Sequence, residues 1–324
     1  MIKKILYIFI LLFTSITYSQ LSKTHYIPPL THAAEGNANA VDQWMYISTP
    51  STSPVNVSIL PVGGTAQTIT VQNNQPQKVQ ISTNGYSQLY VEANTTSQVM
   101  NNKGYIIDAD KPIYVSVRVN AGGFEGNDDS SAQAGALVTK GLDGLGRIFR
   151  VGTFNSQSNS ANFNNYLNFL SVMATEDNTT VNFTNNYTSG FVIENYSGQF
   201  PINNIQLNRG ESYVIALELK DTSTATTQDA VTRNRDGLIG TLIQSDKDIV
   251  VNSGSSNGSF HNGGGRDYGI DQIVGADKIG MEYVFVKGNG SNGWENVLIV
   301  ADQDDTDIFI NCLLYTSPSP RDRG

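Results

Sequence analysis

The 324-residue sequence predicts an all-β protein of two tandem related β-sandwich-like modules, followed by the first hairpin of a third. Three observations carry this expectation. Ser, Thr, Asn, Gly and Val are abundant, while the Ala/Leu/Glu/Lys periodicity of long helices is scarce. Short runs between turn residues alternate apolar and polar side chains, the mark of a sheet with one buried face. Finally, the chain repeats itself. Asp110-Lys111-Pro112-Ile113, leading into Val119-Asn120-Ala121-Gly122, returns as Asp246-Lys247-Asp248-Ile249, leading into Val251-Asn252-Ser253-Gly254. A period of about 130 residues is the size of a β-domain and too long for a solenoid turn. A propeller-like β architecture satisfies the same strand count.

From the N-terminus, Lys3 and Lys4 precede an apolar run, Ile5 to Phe13, and a small-residue cleavage pattern, Thr17-Tyr18-Ser19. Residues 1–19 therefore read as an export signal, too short to remain as a membrane-spanning helix. Module one is expected over 20–155. Its strands include Thr68-Ile69-Thr70-Val71-Gln72, Lys78-Val79-Gln80-Ile81 and Gln88-Leu89-Tyr90-Val91-Glu92. Leu145 to Gly152 reads as its closing strand, matched by Ile279 to Gly288 in module two, which is expected over 156–290. Thr180 to Thr184 alternates, whereas Ser212 to Leu219 and Leu238 to Gln244 read as strands buried on both faces. Tyr213 to Leu219 also suits a short helix.

A second element recurs near the start of each module. Trp44 to Thr49, Leu170 to Thr175 and Val297 to Asp302 each lead through a polar turn into a strand: Val55-Asn56-Val57, Val181-Asn182-Phe183 and Ile308-Phe309-Ile310. Residues 291–311 are thus expected to begin a third module. The last 13 residues, 312–324, end in Pro-Ser-Pro-Arg-Asp-Arg-Gly and resemble a translated sequencing adapter, so the native frame is expected to end at Asn311.

The sole cysteine, Cys312, lies in that tail, which leaves no disulfide framework and no thiolate chemistry. The chain carries 20 basic and 29 acidic residues, a net charge of −9. Without Lys3, Lys4, Arg321, Asp322 and Arg323 it holds 16 and 28, a net of −12. Such a surface repels phosphate backbones, so nucleic acid is not an expected partner.

Few groups suggest chemistry. Gly254-Ser255-Ser256-Asn257-Gly258 fits the G-x-S-x-G pattern of hydrolase nucleophiles, with His261 nearby. The Gly-rich residues that follow cannot open the helix such an elbow requires, so Ser256 reads as loop and the protein as no enzyme. His25, His32 and His261 lack metal-pair spacing and read as solvated. Asp302, Asp304, Asp305 and Asp307 could offer oxygen ligands to Ca²⁺, but turn chemistry explains them equally, and no cofactor is expected. The Gly-rich loops 120–136 and 252–271 hold Phe124, Phe260, Arg266 and Tyr268, the candidate binding residues.

Thr24-His25-Tyr26-Ile27-Pro28-Pro29-Leu30, Gln43 to Pro50 and Asp271-Gln272-Ile273-Val274 running into Ile279 to Tyr283 carry a family likeness. Together they resemble the IgGFc-binding protein N-terminal domain family, in secreted surface proteins of Bacteroidetes-type bacteria. The resemblance covers most of 21–311 and implies a modular protein exported by the type IX route. It transfers no binding residue. The expected function is adhesion at the cell surface, recognising an extracellular protein or glycan. The alternatives are a structural spacer and, more remotely, a hydrolase using Ser256.

Overall fold

The computed structural model describes residues 20–31, 40–83, 85–120, 134–152, 167–186, 192–218, 237–258, 267–286, 297–310 and 313–316. Nearly all regular structure in them is strand. In chain order these are β1 (Ser22–Ile27), β2 (Leu30–Thr31), β3 (Asp42–Ser48), β4 (Val55–Pro61), β5 (Gln67–Val71), β6 (Gln77–Ser82), β7 (Tyr90–Val91), β8 (Val99–Met100), β9 (Tyr105–Asn120) and β10 (Ala134–Val138). Then follow β11 (Leu145–Arg150), β12 (Leu167–Ala174), β13 (Thr179–Thr184), β14 (Ile202–Leu207), β15 (Ser212–Glu218), β16 (Leu242–Gly258), β17 (Asp267–Ile273), β18 (Asp307–Ile310) and β19 (Leu313–Thr316). Ser212–Glu218 is strand, which removes the short-helix option.

Fifteen of these strands form a seven-stranded and an eight-stranded sheet, each organised on one long strand, while β2 pairs with β7 and β18 with β19. These large sheets differ from the four-stranded radial blades of the propeller alternative. In the first sheet, β9 pairs with β4 and β1 along its first half and with β3 and β10 along its second. In the second, β16 meets β13 and β11 first, then β12 and β17.

The repeated Asp-Lys-x-Ile motif marks the handover between partners. β4 pairs as far as Ala109 and β3 takes over at Tyr114; β13 pairs as far as Ser245 and β12 takes over at Ile249. Pro112 has no N–H to give, so the first handover sits where a ladder bond is missing. A buried threonine braces both steps. Thr49 donates its hydroxyl to the Pro112 carbonyl (2.8 Å) and Thr175 to the Asp248 carbonyl (2.6 Å). Lys111 reaches the hydroxyls of Ser51 and Ser53, and Lys247 the Asp177 carbonyl, each in the turn that follows the threonine.

Two cores result. The first gathers Val57, Ile107, Met45, Val115, Val117 and Leu137 from both halves of its sheet. Phe149, Leu170, Val172, Phe183, Ile243 and Val251 belong to the second. β12 lies between them, with all eight residues buried. Its Leu167 and Phe169 join the first core, while Leu170, Val172 and Ala174 join the second. Burying one such large apolar side chain stabilises by about 1.5–3 kcal/mol, so this shared strand fastens the two sheets firmly.

Two expectations need correction. Leu145–Arg150 does not close the first repeat. It pairs with β16 in the register by which β1 pairs with β9, bulge included: Ser22↔Ile113 and Thr24↔Asp108 answer to Gly146↔Ile249 and Ile148↔Gln244. The strand therefore opens the second repeat, and sheet membership sorts the large strands into 22–138 and 145–273. Residues 279–286 are not a strand at all. They run irregular and exposed, Phe285 at 61% against a fully buried Phe149, and among the described residues no long strand lies beside them.

The threonine braces give a direct test. Thr49→Val and Thr175→Val should each destabilise the protein by about 1 kcal/mol, the cost of one lost buried hydrogen bond. Urea denaturation should show the larger loss at Thr49, whose hydroxyl also accepts from the Ser51 N–H at 3.2 Å.

Candidate binding face

The outer face of the first repeat is built by β6, β3, β9 and β10. Period-two alternation turns Met45, Ile47, Val115 and Val117 into the core, and Trp44, Tyr46, Tyr114 and Arg118 away from it. Register then assembles the face: Trp44 lies opposite Arg118 and Gln80, Tyr46 opposite Ser116 and Lys78, Ser48 opposite Tyr114. The Lys78 ammonium sits over the Trp44 ring at 3.6 Å, and the Arg118 guanidinium over the Tyr46 ring at 4.7 Å. The Trp44 N–H donates to the Asp42 carboxylate at 2.6 Å. Tyr46, Tyr114, Pro76, Arg118 and Val138 border a shallow groove of about 420 Å³. Among the described residues neither Lys78 nor Arg118 makes an ion pair. Their stacking holds two cations flat on aromatic surface with N–H donors free to meet an acceptor.

The second repeat shows what such a face can do. Aligning the long strands on their Asp-Lys-x-Ile steps places Arg118 on Gly254. Through the sheet registers, Trp44 then falls on Phe169, Tyr46 on Ser171, Lys78 on Val214 and Gln80 on Ala216. Phe169, Val214 and Ala216 are buried against the first repeat's core. This also corrects the sequence correspondence of Trp44 with Leu170 by one residue, and a one-residue slip exchanges the faces of a strand.

The residues singled out from sequence lie elsewhere. Phe124, Phe260 and Arg266 fall outside the described residues, as do His32 and His261. Tyr268 stands on β17, 5% exposed in the first core, against the Cα side of Gly135, and burial pushes its phenol well above the usual range. Its ring is thus packed inside the core and not displayed on an exposed loop. Ser256 is fully buried within β16 and accepts a hydrogen bond from the Leu167 N–H at 3.1 Å. A strand interior offers no nucleophile elbow. Asp302 faces Arg150 (3.4 Å), and Asp305 occupies a left-handed turn position with φ 55°. With Asp304 and Asp307 they gather into no cluster of metal ligands among the described residues.

His25 is also misjudged as solvated. It is fully buried on β1, with Nδ1 2.6 Å from the Thr139 hydroxyl and Nε2 3.1 Å from the Ile113 carbonyl and 3.2 Å from that of Ser22. The flanking Pro28-Pro29 pair suggested a loop, but the strand ends just before it. Phe149 takes the same place in the second repeat, opposite Ile243 as His25 is opposite Ile107. Burial lowers the His25 pKa, outweighing the carbonyl bonds and Asp108. The unfolded chain thus binds a proton more readily than the folded one. Stability is full above the unfolded value of about 6.5 and falls as pH drops through and below it. His25→Phe should remove that decline, seen as urea midpoints that stay flatter than the parent's as pH is lowered from 7.5 to 5, so that the two curves separate on the acid side.

A family comparison adds to this geometry. Residues 134–323 match the family model described as IgGFc binding protein, from β10 through the whole second repeat and beyond. A search of curated proteins finds no match. With more than half of its length matched, the chain belongs to the IgGFc-binding protein family.

Proposed function

We propose that this chain is a non-catalytic extracellular binding module that recognises a carboxylate-bearing protein or glycan through the outer face of its first repeat. The observation that carries the reading is the pair of stacked, unpaired cations on aromatic rings, Lys78 on Trp44 and Arg118 on Tyr46, in an otherwise acidic protein. Aromatic and Arg side chains are the usual energetic anchors of protein interfaces. The same face in the second repeat is packed against the first repeat's core, which supports reading this face as a contact surface. The family's binding character supports the reading as well.

Export and display at the cell surface, by the type IX route that the sequence resemblance implies, belong to the same proposal. Support comes from the signal-like pattern of Lys3, Lys4 and the apolar run behind them. No helix among the described residues is long and apolar enough to cross a membrane.

Binding of the full chain to immobilised poly-glutamate and polygalacturonate, beside an array of extracellular proteins, tests the idea and separates protein from glycan sources. Lys78→Gln combined with Arg118→Gln should weaken binding about tenfold or more, equivalent to about 1.4 kcal/mol. Both side chains are exposed, so the melting temperature should hold. Binding that is indifferent to the double substitution and to salt would overturn the proposal by placing the contact elsewhere, and the absence of binding to every probe would overturn it in favour of a structural spacer.

A further inference from the structure

Eleven of the seventeen large apolar side chains exposed among the described residues lie between Ile279 and Ile310. They are not scattered. The 3-10 turn Gly141–Gly144 packs on β1 and leads into Leu145-Gly146, with Phe149 and Val151 beyond; the 3-10 turn Ala276–Lys278 packs on β11 and leads into Ile279-Gly280, with Tyr283 and Phe285 beyond. At the first contact Gly141 lies so close to Ser22 that an added Cβ would stand 2.3 Å from its Cβ; at the second a Cβ added to Gly146 would stand 3.0 Å from the Gly275 Cα. Phe149 and Val151 are fully buried, whereas Tyr283 and Phe285 are 59% and 61% exposed. Further on, Ile308 and Ile310 take the places of Val181 and Phe183, and of Val55 and Val57, all four fully buried. Ile310 is 43% exposed.

This apolar surface continues an interface already formed. Between the first two repeats, Met173 of β12 packs with Tyr26 at the end of β1. Beyond the second repeat, Val300 lies 3.6 Å from the Cβ position of Gly152 at the end of β11, and Arg150 holds both the carboxylate and the carbonyl of Asp302. The docking of one repeat on the next is thus begun a second time.

What separates buried from exposed is a single element. β11, β12 and β13 all pair with β16, and β1, β3 and β4 all pair with β9. We propose that the exposed apolar side chains of residues 279–286 and 297–310 form an acceptor surface for a third long strand of the β9/β16 type, supplied in cis by the same polypeptide. The strand would carry an Asp-Lys-x-Ile handover followed by alternating apolar residues, bring the exposed segments into one sheet, and bury Tyr283, Phe285, Ile308 and Ile310.

A synthetic peptide with the β16 sequence, Leu242 to Gly258, supplies that strand in trans to the chain as it stands. Saturable binding is expected, with loss of fluorescence from an apolar-surface dye and slower proteolysis within 279–310. A peptide of the same composition with its apolar positions shuffled should do neither. Ile308→Asp with Ile310→Asp should abolish the effect while leaving the melting of the first two repeats unchanged. No binding of the β16 peptide, or protection that appears without peptide as the chain dimerises with concentration, overturns the proposal; the second outcome assigns the surface to another copy.

Discussion

The eight buried residues of β12 close one core with their odd-numbered face and another with their even-numbered face, so neither sheet can be understood without the other. Strands covered on both sides are usual in layered α/β proteins, where helices supply the cover. Here the cover on one side is the preceding repeat. The strand pays no penalty for its backbone, because β15 and β16 complete its ladder on both edges. Its side chains, apolar except for the buried Asn168 and Ser171, therefore set the second repeat's position by interdigitation.

The outer face is where the first repeat departs most from the second. The first has no predecessor among the described residues, and the face that would meet one carries Lys78, Gln80 and Arg118 where the second carries Val214, Ala216 and Gly254. End units of repeat arrays commonly expose polar versions of the stacking surface. A merely solubilising end would need no tryptophan. Stacked cations on Trp44 and Tyr46 add affinity for a partner to what would otherwise be a wetted cap.

Much of the fold was legible in the chain. The Asp-Lys-x-Ile pair, read as a repeat, proves to be the point where each long strand changes neighbours. What periodicity cannot convey is phase: a repeat of about 130 residues may be cut anywhere, and Leu145–Arg150 was assigned to the wrong side of the cut. Nor does alternation within one strand reveal which strands become adjacent, so a face made of Trp44, Lys78 and Arg118 was invisible. Tyr268 and His25 were misread because glycines and prolines nearby signalled loops, while long-range pairing with β16 and β9 drew both into strands.

One buried pair of amides ties distant parts of the chain. Gln272 donates to the Tyr26 carbonyl (3.0 Å) and to the Asn252 side chain (3.2 Å), and accepts from the Lys140 N–H (2.7 Å); Asn252 donates to the Pro28 carbonyl (2.9 Å). Tyr26 and Gln272 are 246 residues apart, so nearly the whole folded length is looped between them. Any displacement that draws β1 away from β17 must therefore break this clasp along with the pairing of β1 on β9, so the mechanical joint between the repeats rests on a few amide contacts as well as on the cores.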